Sequence, residues 1–394
     1  MSSRCHLSAA AAPLDDENLL PEILLRLPPQ PSSLPRASLV CKRWRSLASD
    51  PGFLRRFRIH HRRNPPLLGC FVQELHGISF LPALEAPNRV PPGRLSLEVA
   101  HLCRFRLLNC RHGLVLIYDG TRHQFLVKFL VWDPITGDQH HLAIPALFDK
   151  AAGILINGAV LRVVGDNHHF RVVCIATRGL SMPDGEAALA CIYSSETGMW
   201  GNLISTTIPS GLDSRLYYIF DITVSTVLML IGHYLYWTLT DCSSIMLQFD
   251  LEKQSLALIR MPDFAYEAHI TVIRADGGGL GFLFVADYTI QLWKRKISCN
   301  GVASWWLEKT IELDKLLSLN PKKGSIMVLG FAEENNMVFL RTFIGLFALQ
   351  LQSLQFKKLS KTESISHCHP FESVYTAETD VGGEHGRSEL LNNA

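Results

Sequence analysis

The residues able to do chemistry fall in few places along the chain. His140-His141, His168-His169 and His367-Cys368-His369 bring together imidazole nitrogens and a thiol, the donors that hold zinc. Adjacent side chains on a strand point to opposite faces, so such doublets do not converge on one ion, and they read as loop or surface histidines. The run Asp276-Gly277-Gly278-Gly279-Leu280-Gly281 has the glycine content of a phosphate cradle. That cradle needs a helix starting behind the glycines to aim its amides, whereas FLFVA follows here, so a hairpin loop is expected. Cys41 would need a positioned base to act as a nucleophile, none is evident, and it reads as packing within an apolar helix. GxSxG, HExxH and P-loop strings are absent. No catalytic residue, metal ion or cofactor is assigned.

Charge supplies a different kind of candidate. Residues 1–66 hold eleven Lys/Arg against five Asp/Glu, a net +6, while the whole chain is only +2, which leaves the remainder at −4. Lys42, Arg43 and Arg45, then Arg55, Arg56, Arg58, Arg62 and Arg63, carry the excess. Phosphate binding needs such charge. The stretch lacks the aromatic interleaving of single-strand binders and any base-reading helix pattern, so a solvated or partner-facing surface is preferred to a nucleic-acid site.

These residues must be positioned by elements of two sorts. With 394 residues, 47% of them hydrophobic and 19% charged, the chain suits two or three packed units. Leu14 to Phe57 reads as helical. Asp15 and Asp16 are candidate caps, Pro21 is tolerated only in a first turn, and a helix is predicted from Pro21 to Leu27 before Pro28-Pro29 stops it. Leu34 to Ser49 reads as one longer helix, with Leu39, Val40, Trp44 and Leu47 at three- to four-residue steps, ended by Asp50-Pro51-Gly52. About 45 residues of helix bury their apolar faces poorly, so an interface is invited.

From Leu67 onward the chain is punctuated by short runs rich in β-branched and aromatic residues, among them GLVLIY, FRVVCIA, HYLYWTL and IMVLGF, and reads as mainly β. Five runs end in a large apolar residue ahead of a polar turn: Trp132, Tyr193, Phe249, Trp293 and Leu349, separated by 61, 56, 44 and 56 residues. Loose repetition near 40 to 50 residues marks a β-propeller. Early strands in LLGCFVQ and ISFLP, with a late strand in FESVYT, would complete a blade from both termini, which gives six blades, with seven as the alternative count and a pair of sandwiches as the rival architecture. The apolar stretch Ile222 to Leu239 reads as a hairpin turning at Gly232-His233 rather than a membrane span. The ten cysteines form no CxxC pair and read as buried free thiols, and no secretory core opens the chain, so a cytoplasmic or nuclear setting is expected.

LLPEILLRLP followed by SLVCKRWRSLASDPGF resembles the F-box almost position for position, although the familiar Leu-Pro opening is Leu14-Asp15 here. NCRHGLVLI, VWDPITGDQHHLAIP, IGHYLYWTL and GLFALQL resemble the F-box-associated propeller of plant F-box proteins. The resemblance implies a disordered N-terminus over 1–13, an F-box helical module over 14–60, an F-box-associated β-propeller over 67–380 and a disordered tail over 381–394. It implies a substrate-recognition subunit of a Skp-cullin-F-box ubiquitin ligase with no catalytic step of its own. Leu19, Leu20, Pro21, Ile23, Leu24, Leu27 and Pro28 would form a first surface for the Skp-type adaptor, and Leu39, Val40, Cys41, Trp44 and Leu47 a second. Arg122, His123, Arg178, Arg215, Tyr217 and Tyr218, in or beside loops at the ring ends, are candidates for holding an unknown protein substrate. The alternatives weighed are a propeller enzyme or ligand sensor, and a nucleic-acid-associated scaffold.

Overall fold

The computed structural model describes residues 18–74, 77–98, 105–119, 128–145, 155–163, 169–178, 187–208, 228–238, 245–262, 270–320, 324–360, 365 and 367–376. The chain divides into two compact units, one of residues 1–63 with 374–394 and one of residues 64–373.

The first unit is helical: α1 (Leu19–Leu25), α2 (Ser33–Ser38), α3 (Lys42–Ala48) and α4 (Pro51–His61). The long helix predicted over Leu34 to Ser49 is broken at Leu39–Cys41, where Cys41 is extended and starts α3. The run Asp50-Pro51-Gly52, expected to stop a helix, opens one instead. Asp50 Oδ2 accepts a 2.6 Å bond from the Phe53 amide, and Pro51 takes the first helical position, where a missing N–H costs nothing. The α1 helix begins two residues ahead of Pro21, while Asp15 and Asp16 lie outside the described residues.

Leu20, Leu24, Leu25, Leu34, Ala37, Phe53 and Phe57 form the core of this unit, and Val374 joins them from the far end of the chain. Arg58 donates to Thr376 Oγ1 at 3.3 Å. The second unit runs to Ser373, and Val374 and Thr376 are buried on the helices.

The second unit has six antiparallel sheets, numbered I to VI in chain order. Blade I is Leu67–Glu74, Gly77–Pro82 and Leu97–Glu98, completed by Cys368–Glu372, which pairs with Leu67–Glu74. The remaining blades begin with the strands Phe105–Arg111, Leu155–Arg162, Met229–Ile231, Ile270–Arg274 and Met327–Ala332. Neighbouring blades touch all the way round, and Cys368–Glu372 meets both Met327–Ala332 and Phe105–Arg111, so the last strand closes the ring. The six-blade expectation and closure from both termini hold, with the late strand three residues earlier than FESVYT.

Why the repeat was readable is plain from the register. Trp132, Tyr193, Phe249, Trp293 and Leu349 each lie in the third strand of blades II to VI. Polar residues behind Trp132 and Phe249 start the turn to the fourth strand, where Asp133 accepts from the Ile135 amide at 3.0 Å and Asp250 from the amides of Glu252 and Lys253 at 2.9 Å, whereas the blade V strand runs on from Trp293 to Ile297 before it turns. Side chains between blades form the cores, as where Phe71, which packs on Phe371 of its own blade I at 5.0 Å, meets Trp132 of blade II at 5.4 Å. The described part of the apolar stretch, Met229–Ile231 and Tyr234–Thr238, is the expected hairpin, turning through Gly232 at φ +62°. No described helix is long and apolar enough to cross a membrane.

Candidate functional site

Two regions hold the residues singled out by sequence, and the structure treats them differently. In the helical unit, Leu20 and Leu24 are buried in the core. They cannot offer side-chain surface without unfolding it. Leu19, Pro28, Leu39, Val40 and Cys41 are exposed, and Pro21, Ile23, Leu27, Trp44 and Leu47 are partly buried. Leu39 and Val40 stand out, at 76% and 63% exposure. They occupy the break between α2 and α3, and it is the break that turns them outward: a continuous helix would have carried them on its apolar face. Cys41, expected to be packed, is exposed at the same turn. Arg56 pairs with Glu22 at 2.7 Å across the surface, while Arg55 and most other cations of the head face solvent.

In the ring, the substrate candidates Arg122, His123, Arg215, Tyr217 and Tyr218 lie outside the described residues. Arg178 ends the second strand of blade III. What the sequence did not signal is a charged group joining three first strands. Arg111, at the end of its strand in blade II, forms a buried ion pair with Glu333, which follows the first strand of blade VI. The other oxygen of Glu333 accepts from the Leu230 amide of blade IV at 3.4 Å. Burial pushes the Glu333 carboxyl up to about 7 against the pull of Arg111. Beside it Glu372 accepts from the amides of Glu334 and Asn335 and from the Asn335 side chain, and burial raises its carboxyl too. The partners are 222 residues apart in sequence, so no local pattern could have found them.

Among the described residues the histidine doublets do not gather. His140 and His141 are exposed on the fourth strand of blade II, and the His140 ring lies 5.2 Å from that of Phe170, tilted by 53°. His168 lies outside the described residues. Among the described residues no group of three His, Cys, Asp or Glu is placed to hold a metal ion. Asp276–Gly281 forms the hairpin turn expected of it, with Gly277 and Gly278 at φ +84° and +89° between paired strands. Of the cysteines, Cys70, Cys174, Cys191 and Cys368 are buried free thiols as expected, whereas Cys299, like Cys41, is exposed.

Comparison with known proteins agrees with this division. A family model described as F-box-like matches residues 17–60, and one described as F-box protein AT5G49610-like, beta-propeller, matches residues 106–377. The putative F-box/kelch-repeat protein At1g15680 of Arabidopsis thaliana is 29% identical over 196 residues, which cover 47% of this chain and 45% of that protein. The match thus spans less than half of that relative's length. Among solved structures, a Lactobacillus plantarum protein covers 78% of this chain and 98% of its own at 11% identity and a TM-score of 0.36. The β-propeller domain of the Trilobed protease from Pyrococcus furiosus covers 73% and 79% at 13% identity and 0.34. Likeness at that level bears on neither mechanism nor partner.

Proposed function

Since the chain belongs to the family of F-box proteins with an AT5G49610-like β-propeller, we propose that it is the substrate-recognition subunit of a Skp-cullin-F-box ubiquitin ligase. In this reading the helical unit binds a Skp-type adaptor and, through it, a cullin, in the cytoplasm or nucleus. The propeller holds a target protein. The subunit makes and breaks no bond itself. Tethering raises the effective concentration of the target's lysines near the ubiquitin thioester, the same gain that makes a second contact in a linked pair intramolecular.

The observation that carries the reading is the pair Leu39 and Val40, held outward by the turn between α2 and α3 while the rest of the unit closes its core with Leu20, Leu24, Phe53 and Phe57. Large aliphatic side chains so exposed, at the end of a small helical unit, gain from burial against another protein. Trp44 and Leu47, beyond the turn in α3, are partly buried and pack against that core.

The test uses the full chain co-expressed with a plant Skp-type adaptor. Because Leu24 is core, a Leu24→Ala change would cost about 2–5 kcal/mol of folding and could not report on binding. The exposed pair can. The double variant Leu39→Glu, Val40→Glu is expected to retain the thermal midpoint of the parent and to weaken adaptor co-purification by roughly 30-fold or more, the scale of an interface hot spot. A folded parent chain that fails to bind any Skp-type adaptor, or a double variant that binds as well as the parent, would end this reading.

A further inference from the structure

The outer hairpin of blade V departs from its counterparts. Its strands, Thr289–Ile297 and Ala303–Glu312, are nine and ten residues long, whereas among the described residues the outermost strands of the other blades have six at most. Ile297, Val302, Trp306 and Leu307 are exposed by 70%, 60%, 56% and 49%. Among the described residues no other hairpin of the ring carries four exposed large apolar side chains. A concentration of that kind is the usual mark of an interaction surface.

The surface has a charge and a rigid anchor. Residues 294–307, KRKISCNGVASWWL, contain Lys294, Arg295 and Lys296 and no Asp or Glu, and Lys294 pairs with Glu308 at 3.4 Å, which leaves Arg295 and Lys296 as the net charge. Lys296 Nζ lies 5.1 Å above the Trp306 ring, and Trp306 Nε1 donates to Ser304 Oγ at 2.9 Å. The exposed indole is thus held in one pose, so binding would cost it little rotamer freedom. Next to it, Trp305 is tied down, donating to the Arg260 carbonyl at 3.0 Å and packing edge-on to Phe282 at 4.8 Å.

The strand edge itself is open over half its length. Among the described residues no strand pairs with the outer side of Ala303–Glu312. Its ladder shifts register so that Leu307 faces Trp293 and Lys309 faces Leu292, which leaves Glu308 as the extra residue of a bulge. Beyond the bulge, Lys309 Nζ donates to the Leu351 carbonyl of blade VI at 3.0 Å. A bulge and an edge lysine are the devices that protect a strand from further pairing. They guard residues 308–312 and leave 303–307 open.

We propose that Ala303–Leu307 is a docking edge for an extended protein segment in which Asp or Glu alternates with aliphatic or aromatic side chains, taken up as an added strand. Main-chain hydrogen bonds would supply the pairing, and Trp306 and Leu307, pointing to opposite faces, would each cover one apolar side chain of the guest. The net positive charge, carried by Arg295 and Lys296, selects an acidic sequence over a basic one. This rests on the reading that the propeller recruits a target protein. A single-stranded nucleic acid is the weaker fit, because it would need successive stacking rings along a basic groove, and here one exposed ring stands beside three cations.

The experiment is selection of a phage-displayed random 12-residue peptide library on the immobilised full chain, with Trp306→Ala, Leu307→Ala as the counter-target. Expected are peptides alternating Asp or Glu with Val, Ile, Leu or Phe. Their affinity should fall roughly 30-fold or more in the double variant and about tenfold in Lys296→Glu, with thermal midpoints unchanged. N-methylation of alternate peptide amides should abolish binding, since it removes the main-chain donors. Enrichment of neutral or basic peptides alone, equal affinity for the double variant, or indifference to N-methylation would overturn the proposal. So would a (dU)12 oligonucleotide binding this hairpin in place of acidic peptides, or a concentration-dependent dimer of the full chain that the double variant abolishes. Adaptor co-purification of the same variants separates the two readings: retained adaptor with no acidic peptide sinks the docking edge alone, and peptide binding without adaptor sinks the ligase reading alone.

Discussion

At Gly330 the first strand of blade VI passes so close to the strand that closes the ring that any side chain would be in the way. An added Cβ would meet the Cys368 carbonyl and Pro370 Cδ, neither of which can swing aside as a flexible side chain does. Gly330→Ala should therefore destabilise the ring by about 1–3 kcal/mol, read as a lower urea midpoint of the intact protein. Arg162 makes a second prediction at this scale. It donates from Nε to the His112 carbonyl at 3.0 Å and pairs with Asp133, joining blades II and III. Truncation to Ala leaves a mostly buried Asp133 carboxylate without its cation, at a cost of about 2 kcal/mol, and a double-mutant cycle with Asp133→Ala should recover most of it. Asp133 was readable as a turn residue from its place behind Trp132. Its partner was not, because 29 residues separate them and nothing in the local pattern of GAVLR distinguishes an arginine that bridges blades from one in solvent.

The elements were legible where periodicity and punctuation agreed, and misread where one residue type serves two purposes. Asp-Pro-Gly both ends and begins helices; the Asp50 side chain decides for α4, with a 2.6 Å bond that no string of letters shows. Asp50→Ala should lower the helical unit's stability by about 1 kcal/mol, measured by hydrogen exchange of the Phe53 and Leu54 amides. The third strands of blades II, III, IV and VI were legible because each carries a large apolar residue ahead of a turn; in blade V the strand runs four residues past Trp293, and the polar KRK that read as a turn is paired. The closing strand Cys368–Glu372 has a chemistry of its own. Burial, reinforced by His367, pushes the His369 imidazole down to about 3. A histidine held neutral in the folded state contributes stability that is fully present above its usual pKa near 6.5 and is lost as pH falls toward 3. In that window His369→Gln should flatten the dependence of ring stability on pH by up to about 1.4 kcal/mol per unit, seen by comparing denaturant midpoints of both proteins at pH 7 and pH 4.5.

For the whole molecule, the division into a helical head and a repeating β body was legible because the two follow different periods, while contacts between distant parts of the sequence were not. The sharpest example is the return of Val374–Thr376 to the helices, where Arg58 and Thr376 bond across 318 residues. A chain shortened to end at Ser373 removes Val374 from the helical core, so that unit should melt earlier and bind adaptor more weakly, while the near-ultraviolet signal of the ring persists; equal melting of both chains would refute this. Trp306 was hidden for another reason: two adjacent tryptophans in a strand read alike, and only the fold decides that Trp305 is packed and Trp306 exposed. The return of the chain also sets how the molecule gives way under force. Residues 18–63 and 374–376 share one core, so a pull on Val374–Thr376 strains the same packing as a pull on α1. A machine that draws on either segment would thus dismantle the helical unit.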